Sequence, residues 1–260
     1  DYYHIDIDDR IVLSSNYVDA SGSRRLRDYL AGLGIPGVTS VRYFTNAVDS
    51  RTQGVDVTAA YRTTLGSWGN LRLSAAYNYN ETRLRRVSAT PAQITALGIT
   101  TPLFDINERV RFEYGQPRDK VALGASWNIG PVTFDARTTR YGKVEQVALT
   151  NQSAANVALI ARGSTPFRTI PTESGAAGNV DVIQQLRPQW VTDFSFTGHV
   201  NKHLDVTLGA NNIFNVYPTQ NIRSTAALTG ADTFGAFPYS EFSPAGFSGA
   251  FYYARAGVRF

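Results

Sequence analysis

Hydrophobic and polar side chains alternate along much of the chain, and this period of two is the signature of half-buried β-strands. In one segment Leu71, Leu73 and Ala75 share one parity, while Arg72 and Ser74 occupy the other. The same alternation predicts eight strands, at about residues 1–13, 41–65, 69–86, 107–129, 131–147, 188–200, 203–216 and 247–260. The start of the fourth strand is open, because Pro117 is expected only near a strand end.

The connections between these strands are of two kinds. Three are tight, around Gly66-Ser67-Trp68-Gly69, Gly130-Pro131 and Asn201-Lys202, and four are long, at residues 14–40, 87–106, 148–187 and 217–246. Tight and long connections alternate strictly, so in an up-and-down sheet all tight turns lie at one edge. This asymmetry is typical of outer-membrane barrels, whose strands turn apolar residues outward and polar residues inward.

The two parities differ in the environment that they suit. The apolar parity is rich in Ala, Val and Leu, which suits lipid. The other parity mixes small and charged side chains, which suits a wet lumen better than a dry core. The charged side chains expected to face the lumen are Arg62, Arg72, Asp135, Arg137, Arg255 and Arg259.

Aromatic side chains concentrate near the strand ends. The group near the tight turns consists of Tyr61, Trp68, Trp127, Phe134, Phe196 and Phe260. The group near the long loops consists of Tyr77, Tyr79, Trp190, Phe214, Tyr217 and Tyr252. Two such belts match the two interfaces of a membrane, where amphipathic rings settle. The plainer alternative is that strands favour aromatic residues in general.

The long loops carry local signals of their own. Residues 23–34 predict a short helix with an apolar stripe of Leu26, Tyr29, Leu30 and Leu33, and residues 91–98 predict a second one with Pro91 near its start. Residues 148–180 are rich in Asn, Ser, Ala and Gly, which predicts a mobile segment.

Composition narrows the class of protein. The 260 residues include no Cys, which excludes disulfides, thiolate metal sites and a thiol nucleophile. The formal charge of +4 comes from scattered residues and gives no nucleic-acid footprint. No run approaches the ~18 apolar residues of a membrane helix. The chain also lacks Met and a secretory signal, so we expect it to be a piece of a longer protein.

Candidate chemistry is sparse. His199 and His203 flank a turn, and His4 lies alone, so we expect structural or solvated histidines rather than a metal site. The acidic run Asp6, Asp8 and Asp9 lacks the ligand order of a calcium loop. Nucleophile-elbow, phosphate-loop and zinc-protease motifs are absent. We therefore expect neither an enzyme nor a resident metal or cofactor.

Five stretches resemble TonB-dependent outer-membrane receptors. Phe44-Thr45-Asn46-Ala47 followed by Thr52-Gln53-Gly54-Val55-Asp56 is similar to a strand opening of that family, and Gly115-Gln116-Pro117-Arg118-Asp119-Lys120 to the approach to a late strand. Asn211-Asn212-Ile213-Phe214-Asn215-Val216-Tyr217-Pro218 and Ser243-Pro244-Ala245-Gly246-Phe247-Ser248-Gly249 resemble its C-terminal motifs. The chain also ends on Phe260, as members of the family do.

The resemblance implies an all-β, antiparallel, up-and-down transmembrane barrel of 22 strands with an N-terminal plug inside it. Residues 1–260 would then be the C-terminal portion of the barrel domain, a single incomplete domain that holds about eight strands and lacks the plug. We expect that this piece alone does not form a stable membrane barrel, because two strand edges would be left unpaired in lipid.

The resemblance also implies a function. A receptor in the outer membrane of a Gram-negative bacterium would bind a scarce nutrient, such as a ferric siderophore, at its extracellular loops and import it with energy from the TonB complex. Its partners would be outer-membrane lipid, the plug of the same protein, TonB through that plug, the small-molecule ligand and the barrel-assembly machinery. A metal chelate would be cargo and not a cofactor. The assembly machinery would read the last strand, through Phe260, Val258 and Tyr252.

Ligand contacts would come from the long loops and the upper lumen. The candidates there are Arg162, Arg168, Arg223, Tyr239 and Phe242. Arginine suits an anionic chelate, and aromatic rings suit a flat or sugar-like ligand.

Two alternatives from other classes stay open. One is a passive porin or an independent eight-stranded barrel, although the small lumen residues would leave voids in so narrow a barrel. The other is a secreted β-rich enzyme or adhesin, which would need a dry core that segments such as Asn78 to Asn80 do not supply.

Overall fold

The computed structural model describes residues 1–19, 21–173, 175–222 and 238–259. The strands in these ranges are β1 (Tyr2–Leu13), β2 (Tyr17–Val18), β3 (Ser40–Val41), β4 (Phe44–Thr64), β5 (Asn70–Val87), β6 (Asp119–Ile129), β7 (Val132–Tyr141), β8 (Val144–Gln152), β9 (Phe167–Pro171), β10 (Val180–Leu186), β11 (Gln189–Asn201), β12 (Leu204–Asn211) and β13 (Phe251–Val258). The α-helices are α1 (Arg25–Gly32), α2 (Ala92–Ala96), α3 (Ile106–Tyr114) and α4 (Ala154–Ile160), and a short 3-10 helix covers Gly66–Trp68. None of these helices has the length and apolarity that a membrane crossing needs.

One antiparallel sheet of eight strands organises the molecule, in the order β1-β4-β5-β6-β7-β11-β12-β13. These are the eight strands that the alternation predicts, and every neighbouring pair in the sheet is antiparallel. In the described ranges β1 and β13 form the two edges, so the sheet is not closed into a barrel. The all-β, up-and-down prediction is confirmed.

The fourth strand corrects the sequence analysis. It begins at Asp119 rather than at residue 107, and α3 occupies the preceding segment. The Asp105 side chain caps this helix by accepting a hydrogen bond from the Glu108 backbone N–H at 3.1 Å. A cap of this kind satisfies an N–H group that has no partner inside the helix, so it favours helix over strand at this point.

The segment after the fifth strand is also different from the prediction. β7 ends at Tyr141, and the chain then forms a separate sheet in the order β8-β10-β9, with α4 between β8 and β9. Much of residues 148–180, for which the composition predicted a mobile segment, thus has regular secondary structure. The two short helices expected in the earlier loops are present as α1 and α2.

The register assigns the two parities to two faces of the sheet. Leu73 lies opposite Tyr61 on one side and Ala125 on the other, which makes a continuous outer row of apolar residues. On the inner face Thr64 donates to Asn70 at 2.8 Å, and Thr133 donates to Asn128 at 2.7 Å. Polar side chains thus bond to one another across the inner face, as a wet surface requires.

Aromatic rings form a row on the outer face close to the tight turns. Trp127 lies 5.7 Å from Phe134, and Phe134 lies 5.3 Å from Phe196, measured between ring centroids. The Trp127 indole N–H also donates to the backbone oxygen of Trp68 at 2.7 Å. On β5 the outer face runs from Leu71 in this row to Tyr79, a separation of about 27 Å along the strand. This span is comparable with the apolar band of outer-membrane barrels, about 25 Å.

Most of the buried apolar side chains in the described residues belong to the loops rather than to the eight-stranded sheet. The first cluster gathers buried residues of the loops after β1 and β5 and of the upper part of β4: Tyr17, Leu26, Leu30, Ala47, Val48, Ile99, Leu103 and Phe104. The second cluster joins Ala148, Ile160, Val182 and Ile222 from the later loops. We call these two clusters and the segments that carry them the loop layer.

Strand β1 reverses the usual orientation of apolar residues. Its register places Ile5 opposite Thr52 and Ile7 opposite Ser50, both on the inner face, whereas Asp6 lies opposite Arg51 on the outer face. This part of β4 lies beyond Tyr79 of β5, toward the long loops. The outer face is charged there because it lies past the apolar span.

Candidate functional site

A pocket of about 630 Å³ lies on the inner face where the sheet meets the loop layer. Its floor is the inner parity of β5, with Asn78, Asn80 and Thr82, and its opposite wall is α3. The charged side chains that line it are Arg10, Arg42, Glu108, Arg111, Glu113 and Arg118. The pocket is thus polar, with two more arginines than glutamates.

Helix α3 is held in place by contacts on several sides. Val110 is buried, and the Glu113 carboxylate accepts the Leu84 backbone N–H at 2.9 Å, which ties the end of the helix to β5. The helix also packs against β8 of the three-stranded sheet. The pocket wall is therefore a fixed element.

Two of the arginines in the pocket are only weakly engaged. The Arg10 guanidinium stacks over the Phe112 ring at 4.8 Å and has no ion pair among the described residues. Arg111 contacts Glu108 at 3.5 Å and stacks over Phe242 at 5.3 Å. Aromatic stacking orients these guanidinium groups without neutralising them, so both keep N–H donors for a ligand.

The other two arginines are structural. Arg42 donates to the Ser14 backbone oxygen at 2.9 Å and pairs with Glu108 at 3.0 Å. Arg118 pairs with the buried Glu81 at 2.7 Å. A hydrogen bond from Arg83 and the charge of Arg118 together hold the pKa of the Glu81 carboxyl below its usual range. This glutamate therefore stays ionised and keeps Arg118 engaged.

A second buried carboxylate fixes the three-stranded sheet behind α3. Burial alone raises the pKa of Glu145, but hydrogen bonds from Lys143 and Arg168 outweigh burial and leave the pKa below its usual range. Arg168 donates to Glu145 at 2.8 Å and its guanidinium lies 5.7 Å from the Tyr114 ring. These contacts link the later loops to α3, and the Arg168 guanidinium is already paired with Glu145.

The structure does not bring the five sequence-predicted ligand residues into one site. Arg168 is engaged with Glu145, Arg162 is exposed just after α4, and Tyr239 stacks on Tyr217 at 5.7 Å. Phe242 lies beside the pocket through its contact with Arg111. Arg223 lies outside the described residues. These assignments stay predictions.

Arg10, Arg42 and Arg111 line the pocket but were not among the residues predicted from the sequence. The three residues lie on β1, before β4 and on α3, so no local spacing connects them. The one signal within reach was the sequence Asp105 to Glu108, which is a helix start. Had that helix been recognised, its arginines would have been placed over the sheet instead of within it.

All but one of the predicted membrane-interface aromatics and assembly-signal residues lie in the described part of the chain. The outer parity carries Tyr61, Tyr77, Tyr79, Trp127, Phe134, Trp190 and Phe196. Phe214 and Tyr217 are exposed in the segment after β12, Trp68 lies in the turn after β4, and Tyr252 and Val258 lie on the edge strand β13. Phe260 lies outside the described residues. The membrane-interface and assembly-signal roles stay predictions.

The histidines have structural partners. The His199 ring lies 2.6 Å from an Asp205 oxygen, and the His203 ring lies 2.9 Å from the Arg259 backbone oxygen. His4 lies 3.3 Å from Asp6. In the part of the chain that the structure describes, no three His, Asp or Glu side chains group as metal ligands.

A comparison with protein families now decides which class of barrel this is. Residues 1–213 match the family model described as "TonB dependent receptor-like, beta-barrel". The chain belongs to the TonB-dependent receptor β-barrel family. Members of this family are transport receptors rather than enzymes, and they are outer-membrane proteins of Gram-negative bacteria. The family resemblance found in the motifs is confirmed.

Solved structures with similar folds include other receptors of this kind. The copper transporter OprC is 14% identical, with a TM-score of 0.48, and the match covers 100% of this chain and 28% of that one. A mutant of the ferric enterobactin receptor PfeA from Pseudomonas aeruginosa is 17% identical, with a TM-score of 0.45 and coverage of 98% and 28%. The chain therefore spans little more than a quarter of these receptors. No curated protein matches it in sequence.

Proposed function

We propose that this chain forms part of the wall and of the ligand-binding mouth of an active-transport receptor in the outer membrane. The observation that carries the proposal is the arginine-rich pocket of about 630 Å³ between the inner face and α3. It lies at the long-loop end of the sheet, where a ligand from outside the cell would arrive first.

The ligand is an anionic chelate of a scarce metal, such as a ferric siderophore. Arg10 and Arg111 offer guanidinium donors that nearby carboxylates do not neutralise fully. Guanidinium groups bind planar carboxylate and similar oxyanions with paired hydrogen bonds. Phe112 and Phe242 add apolar surface beside these donors, which suits the organic part of a chelate.

Import is driven by the TonB complex acting through the plug of the same protein. Family membership supports this step, because TonB-dependent receptors carry such a plug. The present residues supply the conduit wall and the binding pocket.

Uptake of iron-55 by cells that carry the full-length receptor tests the proposal. Ferric catecholate and ferric hydroxamate siderophores are supplied in turn to cells with and without functional TonB. We expect TonB-dependent uptake of at least one of them. Replacing Arg10 and Arg111 together by Gln should weaken its binding by about tenfold or more, since each charge-assisted hydrogen bond contributes about 1.5–3 kcal/mol.

Lys202→Gln is the control for the loss of a positive charge, because this lysine is exposed in the tight turn between β11 and β12, at the end of the sheet away from the pocket. Its uptake should equal that of the unchanged receptor. Equal uptake with and without TonB would contradict active transport and favour the passive porin. Unchanged binding in the double variant would remove the pocket from the proposal.

A further inference from the structure

Most arginines on the upper outer face of the sheet are neutralised by neighbouring carboxylates. Arg51 donates to Asp6 at 2.8 Å, and Arg86 donates to Asp49 at 2.6 Å. Further along the sheet, Arg140 forms an ion pair with Asp119. These guanidinium groups are paired with carboxylates inside the protein.

Arg187, between β10 and β11, is different. Its side chain is exposed and donates to the Ser164 backbone oxygen at 3.1 Å, and no carboxylate of the described residues pairs with it. Its backbone is fixed, because the Arg187 N–H donates to the Thr219 hydroxyl at 2.9 Å. A guanidinium held in this way keeps its remaining N–H donors for a partner outside the described chain.

Arg187 lines a crevice of about 570 Å³ that also contains aromatic and hydroxyl side chains. Trp190 and Tyr217 supply the aromatic rings, and Thr165 and Thr219 supply hydroxyl groups. The Gln189 side chain crosses to the backbone oxygen of Tyr217, which ties the two sides of the crevice together. Such a lining suits a ligand that is part anionic, part polar and part apolar.

The crevice meets the upper end of the lipid-facing surface. Trp190 lies opposite Arg140, Arg140 lies opposite Val121, and Val121 lies opposite Tyr77. Trp190 is therefore on the outer face, at the level of Tyr77. Its side chain is 45% exposed. Indole rings at this height mark the boundary between acyl chains and headgroups.

We propose that this crevice binds the phosphorylated headgroup of an anionic membrane lipid. The phosphoryl oxygens accept hydrogen bonds from Arg187, and the headgroup packs on Trp190 and Tyr217. The acyl chains then run down the apolar outer face toward Phe194. Charge attracts the headgroup at short range, as for basic residues near anionic membrane surfaces. The site is separate from the pocket and does not depend on transport.

Native mass spectrometry of the purified full-length receptor tests this site. The probe is a diphosphorylated glucosamine lipid, compared with the same lipid after removal of its phosphates and with inorganic phosphate alone. Arg187→Gln should weaken binding of the phosphorylated lipid about tenfold or more, because one charge-assisted contact is lost. Arg187→Lys should retain part of the affinity, and Lys202→Gln, in the tight turn at the other end of the sheet, should bind as the unchanged receptor does.

Three results would overturn the proposal. Equal binding by the Arg187→Gln receptor would exclude the guanidinium, and equal binding of the dephosphorylated lipid would exclude the phosphoryl contact. Binding of inorganic phosphate as tight as that of the lipid would show a site for free phosphate.

A second measurement needs no Arg187 variant. The same lipid with brominated chains should quench indole fluorescence, and Trp190→Phe should remove that part of the quenching. Quenching that is unchanged in the Trp190→Phe receptor would place the lipid elsewhere.

Discussion

The eight-stranded sheet and the loop layer treat their apolar side chains in opposite ways. In the loop layer Leu26 is 1% exposed and Tyr17 is fully buried, as in any water-soluble core. In the sheet Leu73 is 40% exposed, and Tyr61 opposite it is 61% exposed. A contiguous apolar face of this kind marks an interaction surface. The exposed apolar face of the sheet therefore suits lipid, whereas the buried clusters of the loop layer suit surrounding water.

The alternation shows which residues share a face of a strand, but it does not show what surrounds that face. Strand β4 is an example. In the half of β4 from Val55 to Thr64, the outer face carries apolar residues, among them Val55, Val57 and Ala59. Toward its start the same parity carries Arg51 and Asp49, which pair with acids and arginines of neighbouring strands. The strand has one period throughout, but its surroundings change along its length.

The largest effect is expected from Leu26→Ala in the loop layer. Removing a fully buried leucine leaves a cavity and should lower the free energy of local unfolding by about 2–5 kcal/mol. Hydrogen exchange of the full-length receptor would show faster opening of α1, with the lower parts of β4 and β5 unchanged. Leu33→Ala is the control, because Leu33 is 60% exposed and should lose less than about 0.5 kcal/mol. Equal losses would contradict a dry core here.

A charge on the outer face should have the next largest effect. Leu73→Arg places a guanidinium in lipid and should destabilise the receptor by about 2–4 kcal/mol if the position lies near the bilayer midplane. Ser74→Arg, one residue along, places the same group on the wet inner face and should be tolerated. Equilibrium unfolding from lipid vesicles measures both. Equal stability of the two variants would remove the distinction between the faces.

A smaller loss is expected from Gly54→Ala on the inner face of β4. A methyl group there would overlap the Tyr79 backbone oxygen and the Tyr3 hydroxyl, so β1 or β5 must shift. Overpacking of this kind destabilises by about 1–3 kcal/mol. Gly198→Ala is the control, since the atom nearest to an added methyl group there would be a Phe196 ring carbon at 3.9 Å. Unfolding from vesicles should separate the two, and equal stability would show that β1 does not pack closely on β4.

The smallest effect concerns the charged upper face. A hydrogen bond from Arg86 lowers the pKa of Asp49 to about 2, and a hydrogen bond from Arg51 lowers that of Asp6 to about 2. Because the folded-state pKa values are depressed, the ion pairs are complete above the usual carboxyl pKa and are lost as pH falls toward 2. Carbon-13 NMR titration of the two carboxyl groups would follow this loss.

Arg86→Gln tests the cause of that shift. Without the guanidinium, the pKa of Asp49 should rise toward the ordinary aspartate range but stay below it, because the Asp9 backbone N–H still donates to this carboxylate at 2.9 Å, and Asp6 should keep its low pKa. An unchanged Asp49 titration would mean that Arg86 does not pair with it.

Much of the sheet could be predicted from the sequence, because one apolar and one polar face impose a strict period of two on each strand. This is why Leu71, Leu73 and Ala75 were assigned to one face. The period failed where the chain leaves the sheet. At residues 107–118 it favoured a strand, although the cap at Asp105 and the buried Val110 favour the observed helix.

The loop layer and the pocket could not be predicted in the same way. The strands β8, β9 and β10 pair residues that are up to about forty positions apart, and their polar sequence carries no alternation strong enough to reveal them. Arg10 and Arg111 come together only because α3 folds over β5. Such proximity depends on tertiary packing, which no local pattern records.

Spin-label accessibility along β5 tests the central claim most directly. These 260 residues contain no Cys, so in a full-length receptor with any other Cys replaced, single cysteines can be introduced at each position from Leu71 to Tyr79 in lipid vesicles. The account predicts that labels at 71, 73, 75, 77 and 79 collide with oxygen dissolved in lipid, whereas labels at 72, 74, 76 and 78 do not. Accessibility without a period of two, or with the two parities exchanged, would contradict a sheet that faces lipid on its apolar side.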